Sequence, residues 1–312
     1  MRHKNFLFLA MFVLTTACTE EFDLQLNAKQ KLVIEAELTN GRPPYYVRLG
    51  LSDSKTDVLY NQRVDDALII ISDDCGVVDT LIPAKDSILT YEILEGGKIG
   101  EPFMEFIPEL TRCYFQTTKL QGQAGHTYKM RVEWRGDVYT SECTMPKSIK
   151  IDSLGYPNRE IDATPMVWFV DDSTTANYYL IKKGYRFWPI TYSTAQGTWA
   201  ASVLSDEHMT KGSHGIDICS GVSVESWQKE TWDFSYYFPI QRLILYSITQ
   251  EAYNYYTSLA NQIRYDGGVY TPSPASAPTN IKGGALGFFN VASIDEKLCV
   301  CSKEDEDNWY VW

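Results

Sequence analysis

Between Lys31 and Leu51 the apolar residues fall on every second position, and this period constrains the fold more than any other feature. Leu32, Ile34, Ala36 and Leu38 share one parity, with Lys31, Glu35 and Glu37 on the other. Successive side chains of an extended chain point to opposite faces, so the pattern specifies a strand with one face in a core and one in water. After "NGRPP", a turn by composition, Tyr45, Val47, Leu49 and Leu51 resume the alternation. The run "ALIIIS" reads as a more fully buried strand, ended by the turn "DDCG". The segments "TYKMRVEW" and "VYTSECT" flank Arg135-Gly136-Asp137 and predict a hairpin. The Arg-Gly-Asp tripeptide also occurs in integrin recognition, but turn chemistry accounts for it here. With Pro146 closing this unit, short strands and regular turns point to an immunoglobulin-like β-sandwich over residues 31–148.

Residues 149–312 read as a second β-rich domain carrying one helix. "MVWFVDD", "NYYLIKKGYRFW" and "QRLILYSI" have the β-branched and aromatic content of strands. The stretch from Pro189 to Pro239 mixes Ser, Thr and Gly with aromatics and reads as strands and long loops. Ala252, Tyr253, Tyr256, Leu259, Ala260 and Ile263 recur at steps of three and four, which predicts a helix near 249–265. Ser247 or Thr249 can cap its start and "DGG" at 266–268 its end. Tyrosines 253, 255 and 256 then read as packing rather than as a ligand-stacking ladder. "TPSPASAPT" has too many prolines for regular structure and should run extended over the surface. The fold class is therefore mainly β, in two domains, which suits a chain of 312 residues.

The N-terminus carries an address. Arg2, His3 and Lys4 precede an apolar run from Phe6 to Leu14, and Thr15-Thr16-Ala17 lead into Cys18. Basic, apolar and small-residue parts in that order form an export signal over residues 1–17, too short to span a bilayer. A cysteine directly after small residues resembles the lipobox of bacterial lipoproteins, whose thiol is acylated; Leu14 stands one place upstream of the usual leucine. Residues 18–30 then form an acidic tether, and Glu20, Glu21 and Asp23 resemble the export tag of surface lipoproteins in the Bacteroidota. This gives lipidation at Cys18, attachment to the outer membrane through the lipid, and an outward-facing body.

Charge excludes one class of partner. Loss of a leader with Arg2 and Lys4 and no acid takes the net charge from −12 to −14, and such a chain is repelled by phosphate backbones, so nucleic acid is not expected. Besides Cys18 there are six cysteines, Cys75, Cys113, Cys143, Cys219, Cys299 and Cys301. In an exported chain an even number favours disulfides. Three fall in each half, so either one bridge crosses between the halves or some thiols stay free. "CVC" at 299–301 lacks the spacing and second pair of a structural zinc site, so no metal is expected there.

The set "KLVIEAELT", "GHTYKMRVEWRGDVYTSECTMP", "VDDSTTANYYLI", "LILYSITQEAYNYYTSLANQ" and "TNIKGGALGFFNVAS" resembles a family of Bacteroidota lipoproteins known as domain of unknown function 4249. The resemblance implies a two-part β-rich lipoprotein whose gene often stands beside that of a TonB-dependent outer-membrane transporter. It supplies no catalytic residues, and six further cysteines are more than such chains usually carry.

Motifs for catalysis do not emerge. There is no G-x-S-x-G elbow, no H-E-x-x-H, and past the leader only His126, His208 and His214. Asp171-Asp172 and Asp305-Glu306-Asp307 are the densest acidic spots and do not follow an EF-hand pattern; they read as a solvated turn and tail. "NIKGGALGFFN" at 280–290 follows a proline-rich run and leads into strand-like residues, whereas a phosphate loop opens a helix. Gly283 and Gly284 instead allow positive φ or close approach, so that Leu286, Phe288 and Phe289 seat the last strand in the second domain. No cofactor is expected.

The remaining candidates are aromatic. Trp188, Tyr192, Trp199, Trp227 and Trp232, with Tyr236 and Tyr237, cluster in the poorly patterned stretch and either fill the second core or form a binding surface. The expected function is that of an accessory or ligand-capture partner of a TonB-dependent transporter. The alternatives are a stand-alone adhesin for a glycan or peptide, using these rings, and a hydrolase of unrecognised type.

Overall fold

A computed structural model describes residues 30–52, 64–84, 87–93, 99–106, 114–155, 166–171, 174–188, 198–208, 213–217, 222–223, 238–264 and 276–300. The protein is mainly β, with one α-helix among the described residues. The first strand, β1 (Leu32–Thr39), buries Leu32, Ile34, Ala36 and Leu38 as the alternation requires. Its antiparallel neighbour β2 (Tyr46–Leu51) does the same with Val47, Leu49 and Leu51.

Facing them is a four-stranded sheet in the order β10-β9-β3-β4, built from β3 (Leu68–Asp73), β4 (Val78–Thr80), β9 (Thr127–Trp134) and β10 (Asp137–Thr144). Ile69, Ile71, Tyr128, Met130, Val132 and Tyr139 point from it into the core shared with β1 and β2, so the two sheets are sandwich-like. The run "ALIIIS" departs from expectation. Only Ile69 and Ile71 are buried and Leu68 is 42% exposed, because the far face of this sheet looks into solvent. That far face carries the ion pairs Arg131–Glu133 and Lys129–Glu142.

The β9–β10 hairpin turns through Arg135 (φ 50°) and Gly136 (φ 86°). Two successive positive φ values define the tight turn that matches strand twist. Asp137 is already the first residue of β10, paired with Trp134, so the Arg-Gly-Asp tripeptide is turn and strand start.

The two halves of the chain meet on one strand. The longest strand among the described residues, β18 (Leu286–Val300), runs parallel to β1 from Leu286 to Ala292. From Ser293 to Val300 it is antiparallel to β17 (Phe238–Ile248). Where β1 ends, Ile294 N–H donates to Asn40 Oδ1 at 2.6 Å, carrying the ladder across the change of partner. The resulting nine-stranded sheet has the order β16-β14-β13-β17-β18-β1-β2-β8-β5. Its further members are β5 (Ile82–Pro83), β8 (Tyr114–Gln116), β13 (Tyr178–Trp188), β14 (Thr198–Ser205) and β16 (Val222–Ser223). Phe289 and Val291 pack in the same core as β1 and β2, so the first half of the last strand completes the core of the N-terminal strands.

On the β13–β17 side the sheet is covered on both faces, which is why "LILYSI" is apolar without alternation. Leu243 and Leu245 join Ile151, Val167 and Phe169 under a three-stranded sheet of β11 (Ile151–Gly155), β12 (Met166–Val170) and β15 (Ser213–Asp217). Ile244, Tyr246 and Ile248 face the helix α1 (Gln250–Arg264). Thr249 Oγ1 accepts the N–H of Ala252 at 3.2 Å, the N-cap expected of it. Tyr253, Tyr255 and Tyr256 pack inward; Tyr255 stacks on Phe288 at 4.8 Å between centroids and Tyr253 lies 5.1 Å from Tyr178. A hairpin of β6 (Ser87–Ile93) and β7 (Ile99–Phe106) forms a separate two-stranded sheet. Residues 276–281 have no regular structure, as the prolines dictate. Residues 1–29, including Cys18 and the export segment, and the expected helix stop at 266–268 lie outside the described residues.

Candidate functional site

A groove of about 530 Å³ opens between the connection after β10 and the connection between β12 and β13. Lys147, Lys150 and Asp152 stand on one wall, Thr175, Asn177 and Tyr178 on the other. Its size falls within the range of small-ligand pockets. Side chains pin both walls to the sheet. Ser293 Oγ donates to Lys147 O at 2.9 Å, and Ile151 N–H donates to Asp295 Oδ2 at 2.7 Å. Opposite, Asp206 Oδ2 accepts both the N–H and the Nδ2 of Asn177, at 2.9 and 3.1 Å, and the Tyr179 hydroxyl bonds Asp171. The groove mouth thus sets two exposed lysines on a strongly acidic chain.

A second polar cluster lies under α1. Lys182 Nζ is 2.7 Å from Glu37 Oε2, and the Tyr246 hydroxyl donates to Glu37 Oε1 at 3.2 Å. The ammonium also sits 4.6 Å from the Tyr246 ring centre. Burial pushes the Lys182 ammonium toward neutrality, but the Glu37 charge beside it outweighs this and its pKa is raised. Burial, reinforced by Glu37, raises the Tyr246 and Tyr256 hydroxyls, and burial lifts Tyr255 to about 12. Lys182 stays charged and the tyrosines stay neutral at ordinary pH, so the cluster clamps β1 to β13 rather than relaying protons.

The third cluster joins the β3–β4 turn to the residue before β9. His126 Nδ1 stands 2.7 Å from Asp74 Oδ1 and 3.4 Å from Cys75 Sγ, and the three ligand atoms all lie within 4.8 Å of one another. The hydrogen bond to His126 holds the Asp74 carboxyl below its usual range. Local desolvation by the atoms packed around the sulfur, with the Asp73 and Asp74 charges nearby, pushes the exposed Cys75 thiol up. A cysteine nucleophile needs a lowered pKa and an imidazole nitrogen of its own. Here one nitrogen serves both neighbours, a geometry suited to shared ligation.

A family model, Domain of unknown function (DUF4249), matches residues 19–298. The chain belongs to this family. No curated protein and no solved structure matches it. The DUF4249 match begins one residue after Cys18 and takes in every element from β1 through most of β18.

Of the aromatic candidates in this DUF4249 chain, the backbone places Trp188 at the end of β13 and Trp199 near the start of β14, the two strands of one hairpin. Tyr192, Trp227 and Trp232 lie outside the described residues, as do Tyr236, Tyr237, Asp172 and residues 305–307. Among the cysteines, Cys75 is an exposed free thiol and Cys143 a buried one. Cys299 is on β18, and Cys113, Cys219 and Cys301 lie outside the described residues. The Asp74–His126 and Glu37–Lys182 contacts were not legible in sequence. "DDCG" signals only a turn, and its histidine partner stands 52 residues away from Asp74.

Proposed function

We propose that this protein is a lipid-anchored outer-membrane lipoprotein, facing outward, that captures a ligand for a TonB-dependent transporter or serves it as an accessory. The observation that carries this reading is Cys18, placed directly after a basic, apolar and small-residue leader and followed by Glu20, Glu21 and Asp23. The groove at Lys147, Lys150 and Asn177 supports capture, since its walls are held by hydrogen bonds before any ligand arrives. The test is affinity purification of the tagged full-length protein from gently solubilised membranes, with nutrient uptake measured after gene deletion. A barrel transporter that co-purifies, and is lost with Cys18→Ser, supports the reading. Recovery of the protein alone, with uptake unchanged on deletion, overturns it.

The placement of Trp188 and Trp199 in one hairpin favours a second reading, a stand-alone glycan- or peptide-binding adhesin. Glycan-array or peptide binding that Trp188→Ala and Trp199→Ala abolish at unchanged melting temperature would select it. A melting temperature lowered by both changes, with no ligand found, assigns the rings to the core.

A further inference from the structure

We propose that Asp74, Cys75 and His126 form a surface site for a zinc-like divalent ion. Asp74 Oδ1, Cys75 Sγ and His126 Nδ1 supply three ligands, and the outward fourth position takes water or a donor atom of an incoming molecule. The three atoms come from two separate connections and meet at one point. Metal–ligand bonds of about 2.0–2.3 Å in a tetrahedron place neighbouring ligand atoms about 3.3–3.7 Å apart. The 3.4 Å separation of Sγ and Nδ1 already meets this, and the 2.7 Å separation of Oδ1 and Nδ1 needs to open by only about half an ångström.

The ligands are also held from behind, as metal ligands are. Asp73 Oδ1 accepts the N–H groups of Cys75 (3.0 Å) and Val77 (2.7 Å), and Gly76 at φ 93° closes the turn. Thr127 N–H donates to Asp74 Oδ2 at 3.1 Å, which leaves Oδ1 for the site. His126 is fixed by its own N–H to Gln123 O and by its carbonyl, which accepts from Met145 N–H. Asp73 pairs with Tyr128 across β3 and β9, so both connections rest on one ladder. A thiolate with an imidazole and one carboxylate selects a borderline metal such as zinc over calcium or magnesium, which prefer oxygen alone. On binding, the thiol proton passes to solvent and His126 gives up its Nδ1 proton while Nε2 carries the one that keeps the ring neutral, and the metal–sulfur and metal–nitrogen bonds form in their place.

The test uses the full-length protein in detergent, stripped of metal and kept reduced, then titrated with cobalt(II) and back-titrated with zinc. The expected result is a thiolate-to-cobalt charge-transfer band that saturates at one equivalent and disappears as zinc displaces cobalt. Cys75→Ser should remove the band, and His126→Ala and Asp74→Asn should each weaken zinc binding at least tenfold, all at an unchanged far-UV spectrum. No band in the parent protein overturns the proposal. So does a band that survives Cys75→Ser, which places the metal on other cysteines. A mapped disulfide between Cys75 and another cysteine in protein isolated from cells overturns it as well.

Discussion

A methyl group on Gly287 would stand 2.0 Å from the carbonyl oxygen of Ile34, its partner in the parallel β1–β18 ladder. At φ 93° the residue is also in the region that side chains avoid. Gly287→Ala is therefore expected to destabilise the protein by about 3 kcal/mol or more, combining backbone strain with a clash that must move a central strand. Gly284→Ala has the same kind of φ, 90°, but open space around it, and should cost only about 1–2 kcal/mol. Urea denaturation of the two variants checks the ranking; equal losses would refute the close approach.

Asp79 is fully buried and organises residues 118–120. Its carboxylate accepts from the N–H groups of Thr118, Lys119 and Leu120, at 2.8, 2.8 and 2.9 Å, and from the Thr118 hydroxyl at 2.6 Å. Burial raises its pKa, but these bonds together outweigh burial and the net shift is downward. Asp79→Ala should cost about 2–4 kcal/mol by orphaning several donors. Because the folded pKa is below the unfolded one, this stabilisation is complete above pH about 4 and is lost as pH falls through the lowered value. Acid titration of stability should accordingly be shallower for Asp79→Asn than for the parent.

The Glu37–Lys182 pair is about one-third exposed on each side. Lys182→Met should therefore cost on the order of 1 kcal/mol rather than the larger penalty of a sealed charge pair. The Lys182 pKa is raised on folding, so the pair's contribution is fully present below about pH 10.4 and is lost only as pH rises through the raised value. Melting temperatures of parent and variant should differ by a constant amount from pH 6 to 9. A difference that changed across that range would mean another group sets the charge.

Burial pushes the Cys143 thiol up to about 11. At pH 8 roughly a thousandth of it is thiolate, before any steric shielding. Mass spectrometry after iodoacetamide treatment should find Cys143 unmodified in the native protein and alkylated after denaturation. Labelling in native conditions at the rate of an exposed thiol would contradict its placement against β18.

The "NIKGGALGFFN" segment is legible only in part from its sequence. Its glycines imply unusual backbone, and Gly283, Gly284 and Gly287 all have positive φ. Asn280 carried no signal, yet its Oδ1 accepts the N–H of Phe289 and its Nδ2 donates to Phe289 O, both at 2.9 Å, imitating a strand partner. Which glycines meet another backbone depended on strands far earlier in the chain: Gly287 lies against Ile34 O and Gly283 against Val138 O, while Gly284 faces open space. Likewise, "DDCG" announced a turn from composition, while its cluster with His126 required β3 and β9 to pair.

Local chemistry in the sequence settled the clearly patterned strands, such as β1, β2, β9, β10, β13 and β17, which face of each strand between Lys31 and Leu51 is buried, where the β9–β10 hairpin turns, and where α1 begins. These outcomes depend on side-chain period and on φ preferences within a few residues, and such terms act before any long-range contact exists. The tertiary structure alone decided that β18 pairs with both β1 and β17, that Phe289 completes the core of the N-terminal strands, and that Asp74, Cys75 and His126 converge. Strand partners are chosen by complementarity between segments far apart in the chain, and no local periodicity encodes that choice.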